Sequence, residues 1–325
     1  MRTPKPGPGY NGPTRGAEDA ALERIGVSLA AQFGPAPPGE LWFGDDAAVI
    51  RIADPRLVVA TDIAVAGVHA DLALLTEEDL GWRAVAATVS DIAAMGARPT
   101  HLLSSLCVAP DTDLDGLCAG VAAAAGVWGC IVVGGDLSRS AVAMASITVL
   151  GTLEDNPAEA LTRSGSRAGE RIFVTGPLWS SAAGLRYLRA GELAEGPSAA
   201  AIEAHRRPRA RVEEGLAARR AGASALMDIS DGLLLDLDRM GRSSGVGIVI
   251  ESVPVDPEAT VEEALSGGED FELLIVTAHP EALLTAFKSA GLRPPVPLGL
   301  CTNDPLERLL DGARFEGRGY QHEIG

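Results

Sequence analysis

Lysine is almost missing from this chain. Of 27 basic residues among 325, only Lys5 and Lys288 are lysines, which leaves 25 arginines. Neither lies in a G-x-x-x-x-G-K-[ST] loop or on a strand of the protein-kinase type, so both of those phosphate-holding devices are excluded. Cysteine is scarce too. Cys107, Cys118, Cys130 and Cys301 form no C-x-x-C pair and no Cys/His ligand spacing, which points to free thiols in a reducing cytoplasm. The opening "MRTPKPGPGYNGPTRG" lacks an apolar core and reads as a disordered tail over 1–16, not as a signal peptide. The longest uncharged stretch, Gly116 to Gly135, is long enough to span a bilayer. Six of its residues are glycine and much of the rest is alanine, so it parses instead as a buried helix, a turn and a core strand.

What is present is globular. The chain is 46% hydrophobic and 22% charged, and its length suits two domains or one large one. A formal net charge of −17 argues against nucleic acid and against a membrane surface as partners. It leaves a phosphorylated substrate open, because divalent cations can invert the local sign.

Hydrophobic periodicity predicts helices over 17–33, 77–95 and 114–125 and strands over 47–51, 57–61, 101–107, 131–133 and 142–150. A polar, glycine-bearing stretch over 154–170 suits a domain junction. Beyond it the pattern predicts strands over 171–175, 225–229, 247–252 and 271–277 and short final strands. Helices are expected over 180–190, 208–221, 232–243 and 281–290. Both halves mix strands with helices, so the fold class is α/β with mixed sheets, in an N-terminal domain over 17–153 and a C-terminal domain over 154–325. No fixed-period repeat is found.

Aspartates recur at the ends of apolar runs. "FGDDAAVI" holds Asp45, "VVATDIAVAG" holds Asp62, "TVSDIAAMG" holds Asp91, "IVVGGDLS" holds Asp136 and "MDISDG" holds Asp228 and Asp231. Taken singly, most have an ordinary structural use: Asp231 as a helix N-cap, Asp62 and Asp136 as turn residues. Asp91 resists one, since it lies in a helix among the apolar Val89, Ile92 and Ala93. Asp236 and Asp238 read as the wet face of a helix. If the others converge, each close pair repels by about 4 kcal/mol at an effective dielectric of ~20, so the cluster needs protons or cations. Oxygen-only ligands favour Mg²⁺ over Zn²⁺, and Mg²⁺ on aspartates is the usual companion of a nucleotide polyphosphate. With lysine absent, metals, backbone amides and an arginine must supply positive charge, and Arg163 in "LTRSGSRAG" is the best placed. "VVATDIA" lacks the second aspartate of haloacid-type phosphatases. Ser230 and Asp231 open a helix whose N-terminal amides suit an anion.

The ordered set "GDDAAVI", "TDIAVAGVH", "SDIAAMGARP", "GGD", "LTRSGSRAG", "DISDGLLLDL" and "GGEDFELL" resembles the thiamine-monophosphate kinases, members of the aminoimidazole ribonucleotide synthetase-like superfamily. The resemblance runs from residue 17 to the C-terminus. It implies a two-domain aminoimidazole ribonucleotide synthetase-like fold and a homodimer whose N-terminal domains pair into a barrel-like sheet. It also implies ATP and several Mg²⁺ ions, with thiamine monophosphate as the second substrate. By motif, Asp45, Thr61, Asp62, Asp91, Asp136, Asp228 and Asp231 fall on metal positions. Trp128, Gly135, Asp136, Arg163 and Ser230 fall on ATP-contacting positions, and His69, Glu269 and Tyr320 on substrate positions. Departures from the pattern are Ala60 for serine, Ala70 for phenylalanine and "GYQHE" for a "GYDHF"-type ending.

The implied reaction is in-line transfer of the γ-phosphoryl group of ATP to thiamine monophosphate, with no protein nucleophile. Two alternatives stand beside it: a sibling ATP-dependent synthetase, which would want an N-terminal catalytic cysteine or a cysteine tail, and a catalytically silent nucleotide-binding dimer.

Overall fold

The protein is described from a computed structural model that covers residues 17–35, 37, 57–153, 159–178, 180–192, 196 and 198–320, with side chains from residue 24 onward. The tail over 1–16, Asp45 and the expected strand over 47–51 lie outside the described residues.

The N-terminal half runs α1 (Ala17–Phe33), β1 (Leu57–Val65), α2 (Glu77–Ala94), β2 (Arg98–Val108), α3 (Leu114–Val127), β3 (Ile131–Arg139) and β4 (Met144–Thr152). The strands pair in the order β1-β4-β2-β3, with β2 and β3 parallel and the other pairs antiparallel. Strict alternation along β4 buries Ala145, Ile147 and Val149 on one face, where α2 lays Val85, Val89 and Ile92, all fully buried. Thr76 and Asp79 start α2 with a reciprocal cap, each side chain bonding the other's amide. The opposite face carries exposed apolar side chains: Leu57, Val59 and Ile63 on β1 and Leu103 on β2.

β3 is longer than the expected strand over 131–133. It continues through Gly134 and Gly135 to Asp136, for which a turn position is the ordinary reading. Gly135 lies opposite Ser104, where a Cβ would run into the Ser104 carbonyl, so the glycine serves close strand pairing. Asp136 is therefore mid-strand. The uncharged stretch from Gly116 to Gly135 divides into α3, a turn at Gly129 and β3, and among the described residues no helix is long and apolar enough to cross a membrane.

The C-terminal half runs β5 (Arg171–Val174), α4 (Ser180–Arg189), α5 (Ser198–Arg206), α6 (Val212–Arg220), β6 (Ala225–Asp228), α7 (Leu233–Ser244), β7 (Gly247–Ile250), α8 (Val261–Ser266), β8 (Leu273–Thr277), α9 (Pro280–Ser289), β9 (Val296–Thr302), β10 (Arg308–Leu310) and β11 (Ala313–Arg314). Its seven strands order as β11-β10-β7-β9-β5-β8-β6, which leaves β6 at an edge. Two helices were not expected. α5 is a short alanine-rich helix, and α8 follows a readable T-x-x-E capping box formed by Thr260 and Glu263. A continuous apolar cluster joins α2 to α6 and to Leu226, Leu273 and Ile275 of the second sheet. α2 is thus packed against both halves.

Candidate active site

α2 carries the site because two of its charged residues fall on one face of the helix. Arg83, Ala87 and Asp91 are four residues apart and share one stripe, which faces a cavity of about 880 Å³. Asp62 reaches this cavity from β1, Asp228 from the end of β6, and Ser230 and Asp231 from the β6–α7 junction. His69, Glu269 and Tyr320 line it as well. Eight of the residues expected from sequence are therefore brought around one space.

Burial and mutual repulsion dominate the aspartates. The Asp91 carboxyl is pushed up to about 8, first by burial and then by the charges of Asp228 and Asp62, while Arg163 opposes the shift. Asp62 is raised, chiefly by burial, against the lowering effect of a hydrogen bond with Asp91. Asp228 is pushed up to about 6 by burial, although Ser90 donates to its Oδ2 at 2.7 Å and lowers it. Without cations, the cluster reduces its charge by keeping protons.

A second part of the lining is built around Arg83, the one basic residue of α2. Its buried guanidinium pairs with Glu269 and donates to the carbonyls of His69 and His205. His205 packs Nδ1 3.1 Å from Ser181 Oγ. Burial, then the Arg83 and Arg189 charges, lowers the imidazole to about 3, so it is neutral. Glu269 and Phe271 both adopt positive φ, 68° and 52°, a strain of about 1–3 kcal/mol each that the surrounding bonds must hold. Those bonds tie the loop to the metal-side junction: Glu269 N–H donates to Ser230 O at 2.9 Å and Phe271 N–H to Ile229 O at 3.2 Å, while from the C-terminal segment Tyr320 N–H donates to Asp231 O at 2.8 Å.

Two expectations about that junction are corrected. Asp236 is not on a wet face; it is fully buried and accepts the N–H groups of Ser230, Asp231 and Gly232 at 3.1, 3.1 and 3.2 Å. Those amides are consequently not open to a phosphate. Gly232, at φ 128°, permits the turn that aims them at Asp236. Asp238 is buried too, bonded by Arg308 Nε at 3.0 Å and Arg242 at 2.8 Å.

Other expected residues lie elsewhere. Thr61 and Asp136 are exposed on the outward face of the first sheet, and Thr61 Oγ1 lies 3.0 Å from Thr148 Oγ1. Gly135 lines a small cavity under α1. Trp128 packs at 5.7 Å from Trp82, with its Nε1 donating to Ala210 O at 3.1 Å. Arg163 is exposed, yet near enough for its charge to act on Asp91 and Asp228. Sequence reasoning missed Arg83, Ser90, Ser181, His205, Asp236 and Arg239. Only Arg83 left a signal, as a lone cation in an otherwise apolar stretch of helix.

Among the described residues no three Asp, Glu, His or Cys side chains form a ready metal cage. The donor set still fits Mg²⁺. All its ligating atoms are oxygens, and the proton-sharing of Asp62 and Asp91 reports negative charge in need of a cation. Mg²⁺ takes one or two carboxylates and completes its shell with water and phosphate oxygens.

Residues 44–153 match the family model described as AIR synthase related protein, N-terminal domain, and residues 167–311 match its C-terminal domain counterpart. The chain is 36% identical over 330 aligned positions to the thiamine-monophosphate kinase of Synechococcus elongatus, covering 94% of this chain and 98% of that one. The solved structure of AaThiL complexed with AMPPCP and TMP is similar at a TM-score of 0.73 and 32% identity, over 86% of this chain and 91% of that one. That of thiamine-monophosphate kinase from Stenotrophomonas maltophilia K279a is similar at a TM-score of 0.76 and 30% identity, over 91% and 97%.

Proposed function

The chain belongs to the thiamine-monophosphate kinase family, and on that premise we propose that it transfers the γ-phosphoryl group of ATP to thiamine monophosphate, giving thiamine diphosphate and ADP. The observation that carries this reading is the shared cavity, which Asp62, Asp91, Asp228 and Asp231 line together with His69, Glu269 and Tyr320. A phosphate acceptor held between them faces the polyphosphate without any covalent protein intermediate. Burial pushes the thiols of Cys118, Cys130 and Cys301 to about 12, so none of these three offers a thiolate.

We assign Asp62, Asp91, Asp228 and Asp231 to Mg²⁺, which when bound neutralises the polyphosphate and the charge that develops in transfer. Ser230 and Arg163 are assigned to the ATP phosphates, the arginine standing in for the missing lysine. Glu269, fixed by Arg83, and Tyr320 hold the organic part of thiamine monophosphate, with His69 beside them. The chain reads as an N-terminal domain over 17–153 and a C-terminal domain over 154–325. The exposed Val59 and Ile63, at 58% and 50%, support a homodimer that pairs the outward faces of two first sheets. Thr61 and Asp136 lie on that face, so their metal role belongs to the paired form.

The test is the fate of isotopically labelled γ-phosphate. Label should appear in thiamine diphosphate and none on the protein. Label trapped on the protein would overturn direct transfer.

A further inference from the structure

Arg239 bridges two carboxylates that occupy different surroundings. Its Nη1 lies 2.5 Å from Asp231 Oδ2 and 2.8 Å from Asp236 Oδ1. Asp236 is fully buried, and its second oxygen is saturated by three backbone amides. Asp231 is 30% exposed and lines the cavity that holds Asp62, Asp91 and Asp228. The guanidinium is itself 36% exposed.

The two bonds of Arg239 therefore differ in how easily they break. Asp236 cannot turn away, because moving it would strand three amides and a buried charge. Asp231 can, because water and cations reach it from the cavity. An ion pair of this exposure is weak and open to competition. A divalent cation brings twice the charge to the same oxygens. The cavity gathers the carboxylates of Asp62, Asp91, Asp228 and Asp231 around one space. Arg239 brings positive charge to Asp231, the cavity-lining carboxylate that it bonds.

We propose that Arg239 is a stand-in cation for Asp231, holding that carboxylate while no divalent cation is bound and withdrawing onto Asp236 when one arrives. Asp236 is then the positioning residue of the site. It fixes the Ser230–Gly232 turn through its amides and gives the displaced arginine a partner that never leaves. Asp231 keeps a positive neighbour in both states, so the turn is not pushed apart by its own charge before the cation binds. The cost is competition: the arginine weakens cation binding at Asp231. This inference rests on the assignment of Asp231 to Mg²⁺.

The experiment is calorimetric titration of the full-length protein with Mg²⁺ alone, without nucleotide. Arg239→Gln, and Arg239→Met as a second neutral variant, should bind Mg²⁺ about 2- to 5-fold more tightly, the range over which a half-exposed ion pair competes. Arg239→Lys should stay near the unaltered protein. Asp236→Asn should bind Mg²⁺ more weakly, because the arginine left without its anchor settles on Asp231, and adding Arg239→Gln to it should restore binding. A structural role alone would lower thermal stability in these variants without tightening the Mg²⁺ titration. Unchanged or weaker binding in both neutral variants overturns the proposal. Asp231→Asn separates the two readings: if it leaves Mg²⁺ affinity unaltered, the metal assignment of Asp231 fails first. If it weakens binding while the Arg239 variants do nothing, only the stand-in role fails.

Discussion

Ser90, on the helix that covers the first sheet, donates a 2.7 Å hydrogen bond to Asp228, at the end of the edge strand of the second. The bond is buried and joins residues far apart in sequence. It holds a carboxylate from one half of the chain against Asp91 and Asp62 from the other, so the metal wall exists only when both halves are docked through α2.

From this follows the first expected outcome. Asp62→Asn, Asp91→Asn and Asp228→Asn should each lower thiamine diphosphate formation by at least ~10²-fold, the scale lost with one electrostatic stabiliser. Steady-state rates at saturating ATP check this. Near-normal rates in all three would dissolve the proposed cluster.

The second outcome concerns pH. Asp91 titrates at about 8 in the folded protein against 3.8 as its ordinary value. Both states hold the proton below the lower value. As pH rises between the two, the unfolded chain releases its proton first, so folding stability is lost until the pH passes about 8. Melting of the cation-free protein should therefore fall from about pH 5 to about pH 9, and Asp91→Asn should flatten that fall. Added Mg²⁺ should stabilise most at the alkaline end, where the carboxylates are ionised. A melting temperature independent of pH in the unaltered protein would contradict the coupling.

Asp62, Asp91 and Asp228 were legible in the sequence because a carboxylate inside an apolar run is costly to bury unless a proton or a cation neutralises it. Asp236 was not. Helical spacing cannot reveal that the preceding turn folds back and spends three amides on one oxygen, so a buried anchor looked like a solvated face. Arg83 and His205 depend on partners supplied by distant elements. The β3 extension was hidden for a related reason: the close approach of Gly135 to the carbonyl of Ser104 shows only once the two strands are paired. The two-sheet architecture was legible, since most strands and helices follow plain periodicity.

The substrate wall gives a selective expectation. Tyr320 is 48% exposed and lines the cavity with Glu269. An aromatic face attracts a cationic ring by roughly 0.5–2 kcal/mol. Tyr320→Ala should accordingly raise KM for thiamine monophosphate several-fold and leave KM for ATP nearly unchanged. Equal effects on both substrates would remove Tyr320 from the thiamine site.

Assembly is open to an equally simple check. Ile63→Glu places a charge on the exposed apolar face of β1 without touching the core beneath. Sedimentation should show the unaltered protein as a dimer and this variant as a monomer. A variant that still dimerises would place the interface elsewhere.

The most direct test is the reaction itself, followed as product per nucleotide with purified protein, Mg²⁺, ATP and a panel of acceptors. Thiamine monophosphate should give thiamine diphosphate in step with ADP, one for one, and free thiamine should give neither. ATP consumption without thiamine diphosphate, or no turnover at all with thiamine monophosphate, would contradict the account.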